Sequence, residues 1–372
     1  MYSFGRYLVS RYVELTELYA SLMIRDFGLA MISVFVPIYL YRLGFSLHTI
    51  LLLYAVKYGM HTLLTIPAAF VAARFGAKHA ILLSTPFLIA YLLLLYGVDQ
   101  HPEFLFVAAV MFGVKNSLFF MGFHVDIVAN TRKRVRGKQL GLLRILTKVM
   151  ATIGPLVGGV LLMVFGFKIV FLLVSGILIV STIPLLATKD MYSPFQVRLR
   201  TLFYKRSIKE TAGLVAQGIE FGIGPVLWPL YAYLHILGSF VALGFLSSIL
   251  EMTGFVANIV FGIASDINRR LTLRIGAITK ICVWILRMGV QLPVHTFMLE
   301  SVYSVSDTAV DISFNSMNYD EAARGNALTT LLYREFVLNA SRACAFALLS
   351  FIPYFMIGFG VAATSLLLYM VY

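Results

Sequence analysis

Charge is what this 372-residue chain has least of: Asp, Glu, Lys and Arg make up 13% of it, against about 25% in soluble domains. A soluble globular domain is excluded on that count. Cysteine is scarce too. Cys282 and Cys344 both fall in apolar runs, where a thiol behaves as a small core hydrophobe, and no redox compartment follows from them. No Gly-x4-Gly-Lys-Ser/Thr, His-Glu-x-x-His or Gly-x-Ser-x-Gly pattern occurs, so ATP-driven transport and the zinc and serine hydrolase chemistries lack their signatures. The seven histidines are scattered without metal-ligand spacing. Arg6, Arg11, Glu14 and Glu17 interrupt the first stretch, so no cleavable signal peptide is expected.

What the chain does have is apolar length. Hydrophobic residues make up 60%, and a window of about 20 residues finds twelve candidate spans: 15–41, 47–73, 79–97, 103–128, 138–164, 167–187, 210–236, 239–265, 271–290, 294–318, 326–351 and 354–372. Joins such as 166–168 and 237–239 leave no room for a soluble domain. The expected fold class is an all-α polytopic membrane protein. Candidate outer loops carry only Arg42 and Lys168, whereas the other side carries nineteen basic residues, from Arg6 to Arg324. The positive-inside rule then puts both termini in the cytoplasm of a cell membrane, the inner one where there are two. The formal charge of +13 is spread over these flanking loops, so the expected partner is the bilayer and not nucleic acid.

The halves echo each other. RDFG at 25–28 returns as IEFG at 219–222, LG at 43–44 as LG at 237–238, VDI at 125–127 as VDI at 310–312, and RG at 136–137 as RG at 324–325. The offsets are 194, 194, 185 and 188, close to half the chain, as a six-span duplication requires. An even number of spans per unit gives both halves one orientation, related by an axis along the membrane normal. The expected division is a six-helix bundle at 1–188, a basic cytoplasmic linker at 189–209 and a second bundle at 210–372. In the linker, Phe195, Leu199, Leu202 and Phe203 share a helical face, which suggests an interfacial amphipathic segment.

With this topology the chain resembles the major facilitator superfamily. The family's loop signature is matched by Arg74, Gly76 and Lys78 in AFVAARFGAKH (69–79), with Ala69 and Ala73 in place of its Gly and Asp. In the second half GIASDINRR (262–270) keeps Gly262, Asp266, Arg269 and Arg270. GPLVGG (154–159) resembles an element associated with exporters, although Met150 stands where a Gly leads it; the same glycines also suit close helix packing. The resemblance implies a central cavity lined by spans 1, 4, 7 and 10, and contact between spans 5 and 8. It implies a Lys148–Glu251 pair across that contact. It also implies a cytoplasmic gate with Asp266 near the start of span 5, and Arg74 and Lys78 facing Asp320 and Glu321.

Intramembrane charges carry the functional expectation, since each costs about 2.5–3.5 kcal/mol at a bilayer centre. Asp26 on span 1 and Glu220 on span 7 are repeat mates, Lys115 lies in span 4, and Glu300, Asp307 and Asp311 lie on one stripe of span 10. These are the candidate cavity and proton-coupling residues. Asp307 and Asp311 are expected to share a proton or to face Lys115. The acidic balance and GPLVGG favour a proton-coupled exporter, a monomeric antiporter of a cationic or amphipathic small molecule without cofactor. Lys115 keeps open proton-coupled uptake of an anionic or sugar-like nutrient. A membrane enzyme using His295 and Glu300 and a non-transporting receptor are the rival classes, and no enzyme is expected.

Overall fold

The computed structural model describes residues 2–130, 136–187, 202, 206–323 and 327–372. For 2–15, 127–130, 136–144, 146, 259, 262–267, 319–323 and 327 it describes the backbone alone. Most of the linker at 189–209 and the side chains of Asp266, Asp320 and Glu321 therefore lie outside the described residues.

The chain is helical throughout. The helices are α1 (Tyr2–Ala30), α2 (Val36–Arg42), α3 (Leu47–Phe75), α4 (Ala77–Gly97), α5 (Phe104–Asn130), α6 (Arg136–Leu186), α7 (Ile208–Ala232), α8 (Phe240–Ile267), α9 (Arg269–Arg287), α10 (Pro293–Ala323), α11 (Ala327–Phe351) and α12 (Phe355–Ser365). Three departures from the expected spans have local causes. Span 1 is broken by a 3-10 turn at Ser33–Phe35, because Pro37 in the first turn of α2 offers no N–H to continue α1. Spans 5 and 6 follow each other directly within α6 as two helices that break at Gly166, whose φ of 73° is not helical. The last span changes from α-helix to 3-10 helix at Leu366. The LG repeat has a structural counterpart: Gly44 and Gly238 both take positive φ, 88° and 60°, at the turns that follow α2 and α7, a conformation in which other residues are strained.

Six segments among the described residues are apolar and long enough to cross a membrane: Thr16–Arg42, Leu47–Phe75, Ala77–Gly97, Phe104–Asp126, Thr147–Leu186 and Phe240–Asn258. The 40-residue run Thr147–Leu186 contains two of the expected spans, and the others named here correspond to one expected span each. The remaining long helices carry their charges inward: Lys280 on α9 is 0% exposed, Arg287 1%, and Glu220 on α7 1%. The outside is the reverse, with Leu63 70%, Met163 63% and Leu348 69% exposed, the surface of a protein solvated by lipid.

Within the first half α1 packs on α6, α3 on α5 and α4 on α5; within the second α7 packs on α11 and α12, α8 on α10 and α9 on α10. Across the halves the main contacts are α3 with α11 and α6 with α8, with smaller ones such as α5 with α11. Small residues set the spacing around α6. A Cβ on Gly158 would overlap the Met31 carbonyl, one on Gly159 the Phe240 carbonyl, and one on Gly244 the Pro155 carbonyl. The GPLVGG glycines are thus occupied in packing α6 against α1 and α8. At the linker's end, Arg206 donates to the Thr330 hydroxyl (3.2 Å) and the Thr329 carbonyl (3.3 Å) of α11. Leu202, expected on an interfacial face, is buried at 1%.

Candidate functional site

The second half holds a lattice of charge and aromatic rings between α7, α9 and α10. Lys280 donates to Glu220 at 2.7 Å and to Asp307 at 2.6 Å. Glu220 also accepts from Trp284 Nε1 at 3.3 Å and from the Tyr303 hydroxyl. One layer nearer the α9–α10 turn, Glu300 accepts from Arg287 and from Trp228 Nε1, each at 2.7 Å. The Arg287 guanidinium lies 4.1 Å from the Tyr303 ring, 4.4 Å from Trp228 and 4.6 Å from Trp284. Both tryptophans of the chain serve this lattice, each offering a ring face to a cation and an N–H to a carboxylate.

The geometry corrects the expected acidic cavity. Glu220 and Glu300 turn toward α9, where Lys280 and Arg287 neutralise them. Asp307 and Asp311 do not share one site with Lys115 as counter-cation: Asp307 is held by Lys280, whereas Asp311 accepts from Asn315 (2.5 Å) and Gln217 (3.4 Å). Asp307 differs from its neighbours in access. Its side chain is 32% exposed, against 1% for Glu220 and 0% for Lys280. Asp307 is thus the member of the trio open to solvent.

The first half is the opposite case, cations without enough anions. Arg25 is buried toward α4 and α5, donating to Ser84 at 3.2 Å and lying 3.9 Å from the Phe119 ring. Its Nε and Nη2 are buried without a hydrogen bond. Lys115 and Lys57 place their ammonium groups on one ring, 4.5 and 3.9 Å from the centroid of Phe112. Lys57 also donates to the Tyr91 hydroxyl at 3.1 Å. Asp26, half-buried, shares the fields of Arg25 and Lys115. Among the described residues no carboxylate comes within 4.0 Å of Lys57, Lys115 or Arg25.

Among the described residues two ion-pair contacts join the halves. Lys148 on α6 donates to Glu251 on α8, the pair that the resemblance implies. Glu335 on α11 meets His124 of α5 at 3.3 Å and His61 of α3 at 4.0 Å. Sequence reasoning missed this cluster because it treated the histidines as scattered. At the expected gate, Lys78 is buried and donates to Glu17 at 2.9 Å, while its expected partners Asp320 and Glu321 lie outside the described side chains. Arg74 is exposed, its guanidinium 5.5 Å from the Phe75 ring. His295 is exposed, and Glu300 is committed to Arg287 and Trp228, so the two do not form the active site that a membrane enzyme would need. Lys57, Lys280, Arg287 and Glu335 all lie on helices other than α1, α5, α7 and α10, the cavity-lining helices that the resemblance implies. A lone charge inside an apolar run was the signal that could have found them.

The family model of the Major Facilitator Superfamily matches residues 18–327. Among solved structures, a POT family transporter in complex with a thioalcohol-conjugated peptide aligns over 96% of this chain and 95% of its own, with TM-score 0.74 and 13% identity. A mutant of the peptide transporter POT in complex with sulfate aligns over 96% and 93%, with TM-score 0.75 and 15% identity. At these identities the likeness is one of fold. No curated protein matches the sequence. Helices that bury charge and expose hydrocarbon, contacts repeated between the halves and a family match over residues 18–327 lead to one assignment: the chain belongs to the Major Facilitator Superfamily and is a membrane transporter, not an enzyme.

Proposed function

We propose that this transporter is a proton-coupled importer of a small molecule bearing an anionic group, with the cargo's anion on Lys115 and Lys57 and the proton on Asp307. The carrying observation is the pair of ammonium groups on the Phe112 ring with, among the described residues, no carboxylate within 4.0 Å of either. Burying an unpaired ammonium costs several kcal/mol, and an anionic cargo offsets that cost. The carboxylates that would have welcomed a cationic cargo are taken by Lys280 and Arg287. The GPLVGG glycines, read as an export element, have a sufficient role in packing. Import is therefore favoured over the proton antiport expected from sequence.

The chain crosses the membrane twelve times in this reading. It forms a bundle at 1–188 and another at 210–372, joined by the basic segment 189–209, with both termini cytoplasmic and the protein monomeric. The cross-half packing supports it: a two-fold relating the halves exchanges α3–α11 with α8–α6, and both contacts are present. Asp26 and Asp311 line the path beside the two binding groups, and Lys148–Glu251 belongs to the gating contact, as do Arg74, Asp266, Asp320 and Glu321 on the cytoplasmic side.

The test is uptake into proteoliposomes of a panel of carboxylates, phosphates, sugars and amines, with and without an inward pH gradient. Anionic compounds are expected to accumulate only with the gradient, and Lys115→Gln to raise KM on the order of tenfold or more, about 1.4 kcal/mol per factor of ten. Accumulation of amines against an opposed gradient would restore the antiport reading.

A further inference from the structure

A groove of about 520 Å³ runs along the outer face between α8, α9 and α10, within the range of about 300–1,000 Å³ typical of ligand pockets. Phe261, Ile275, Val302 and Val305 form its walls, and Ile275 and Val302 are 56% and 44% exposed, so it opens sideways toward lipid. Four hydroxyl residues also line it, and every one is satisfied within its own helix. Thr272 donates to the Asn268 carbonyl (3.0 Å), Thr279 to Ile275 (2.9 Å), Ser301 to Phe297 (3.1 Å) and Ser306 to Val302 (2.7 Å). A polar cargo would find no donor left to bind it. The groove is chemically hydrocarbon, and its occupant is a hydrocarbon chain.

Charge defines the other end of that occupant. Arg270 and Arg274 stand one turn apart on the amino-terminal turns of α9, both exposed, and Arg274 directly precedes the groove residue Ile275. Neither makes an ion pair among the described residues. A basic site at a helix end beside an interhelical groove suits the phosphate of a lipid whose chain enters the groove.

We infer that this groove is a binding site for one anionic phospholipid of the leaflet at the amino end of α9, with an acyl chain between α9 and α10 and the phosphate on Arg270 and Arg274. The site is separate from the charged interior, so it holds whatever the cargo proves to be.

The probe is the full-length protein purified with phosphatidylglycerol or with phosphatidylcholine of the same chains, and bound lipid counted by native mass spectrometry. The wild type is expected to retain one phosphatidylglycerol with a preference of about ten- to thirtyfold over phosphatidylcholine, the size expected for two arginines near the surface. Arg270→Gln with Arg274→Gln should remove the preference while leaving weak retention of either lipid. Thr279→Trp, which fills the groove, should remove retention of both, and Val302→Trp at an exposed wall is the second filling variant should the first fail to fold. Equal retention of the two lipids by the wild type would overturn the site. So would a preference that survives loss of both arginines, or retention that is unchanged in the filled variants.

Discussion

Asp307 is where the interior charge of the second half meets solvent. Replacing it by Asn should leave the fold intact, because Lys280 keeps Glu220 at 2.7 Å, while uptake loses its dependence on the pH gradient. Lys280→Gln is the opposite experiment. It leaves Glu220 and Asp307 facing each other without a cation, and breaking a buried pair costs about 3–5 kcal/mol. A large fall in the thermal unfolding midpoint is expected for Lys280→Gln and a small one for Asp307→Asn. Unchanged gradient dependence in Asp307→Asn would move the proton site elsewhere. The sequence made Asp26, Lys115, Glu220, Glu300 and Asp307 visible as intramembrane charges, but not their partners. Which cation answers which carboxylate depends on helix rotation, and Lys280 and Arg287 sit on α9, which is not among the helices that the resemblance places around the cavity.

At the scale of elements, the two main contacts between halves decide how the molecule can move. The α6–α8 seam is held at backbone distance by Gly159 and Gly244, with Lys148 and Glu251 bridging it. A pair so exposed, 37% and 24% by side chain, contributes at most about 1 kcal/mol to stability, so the proposed gating role is to be sought in transport and not in stability. A double-mutant cycle on Lys148→Gln and Glu251→Gln should show coupling in uptake rate and little in unfolding midpoint; additive rates would leave the pair without a gating role. Along α3–α11, Glu335 binds His124 and His61, and Tyr58 stacks on Phe346 at 5.8 Å. Depth along a helix is legible from residue counting, which is why Lys148 and Glu251 could be matched in advance. The His61–His124–Glu335 cluster was not, because three helices from two halves have to converge before those residues become neighbours.

For the whole molecule, the repeat was the most legible feature. LG at 43–44 and 237–238 marks two turns that both require positive φ, and even span number relates the halves by rotation about the membrane normal. The count of crossings is less plain from the structure, since among the described residues six segments are long and apolar enough to cross a membrane and helices such as α7 and α9 hold charges in the interior. The central claim is that a cargo anion and a proton cross together, through the cations of one half and the carboxylate of the other. The most direct measurement is internal pH in proteoliposomes, followed with an entrapped dye, as single carboxylates and phosphates are added outside without an imposed gradient. The account predicts acidification on adding a transported anion, abolished in Asp307→Asn and needing higher anion concentration in Lys115→Gln. Acidification that is unchanged in Asp307→Asn, or alkalinisation on adding a transported amine, would contradict it.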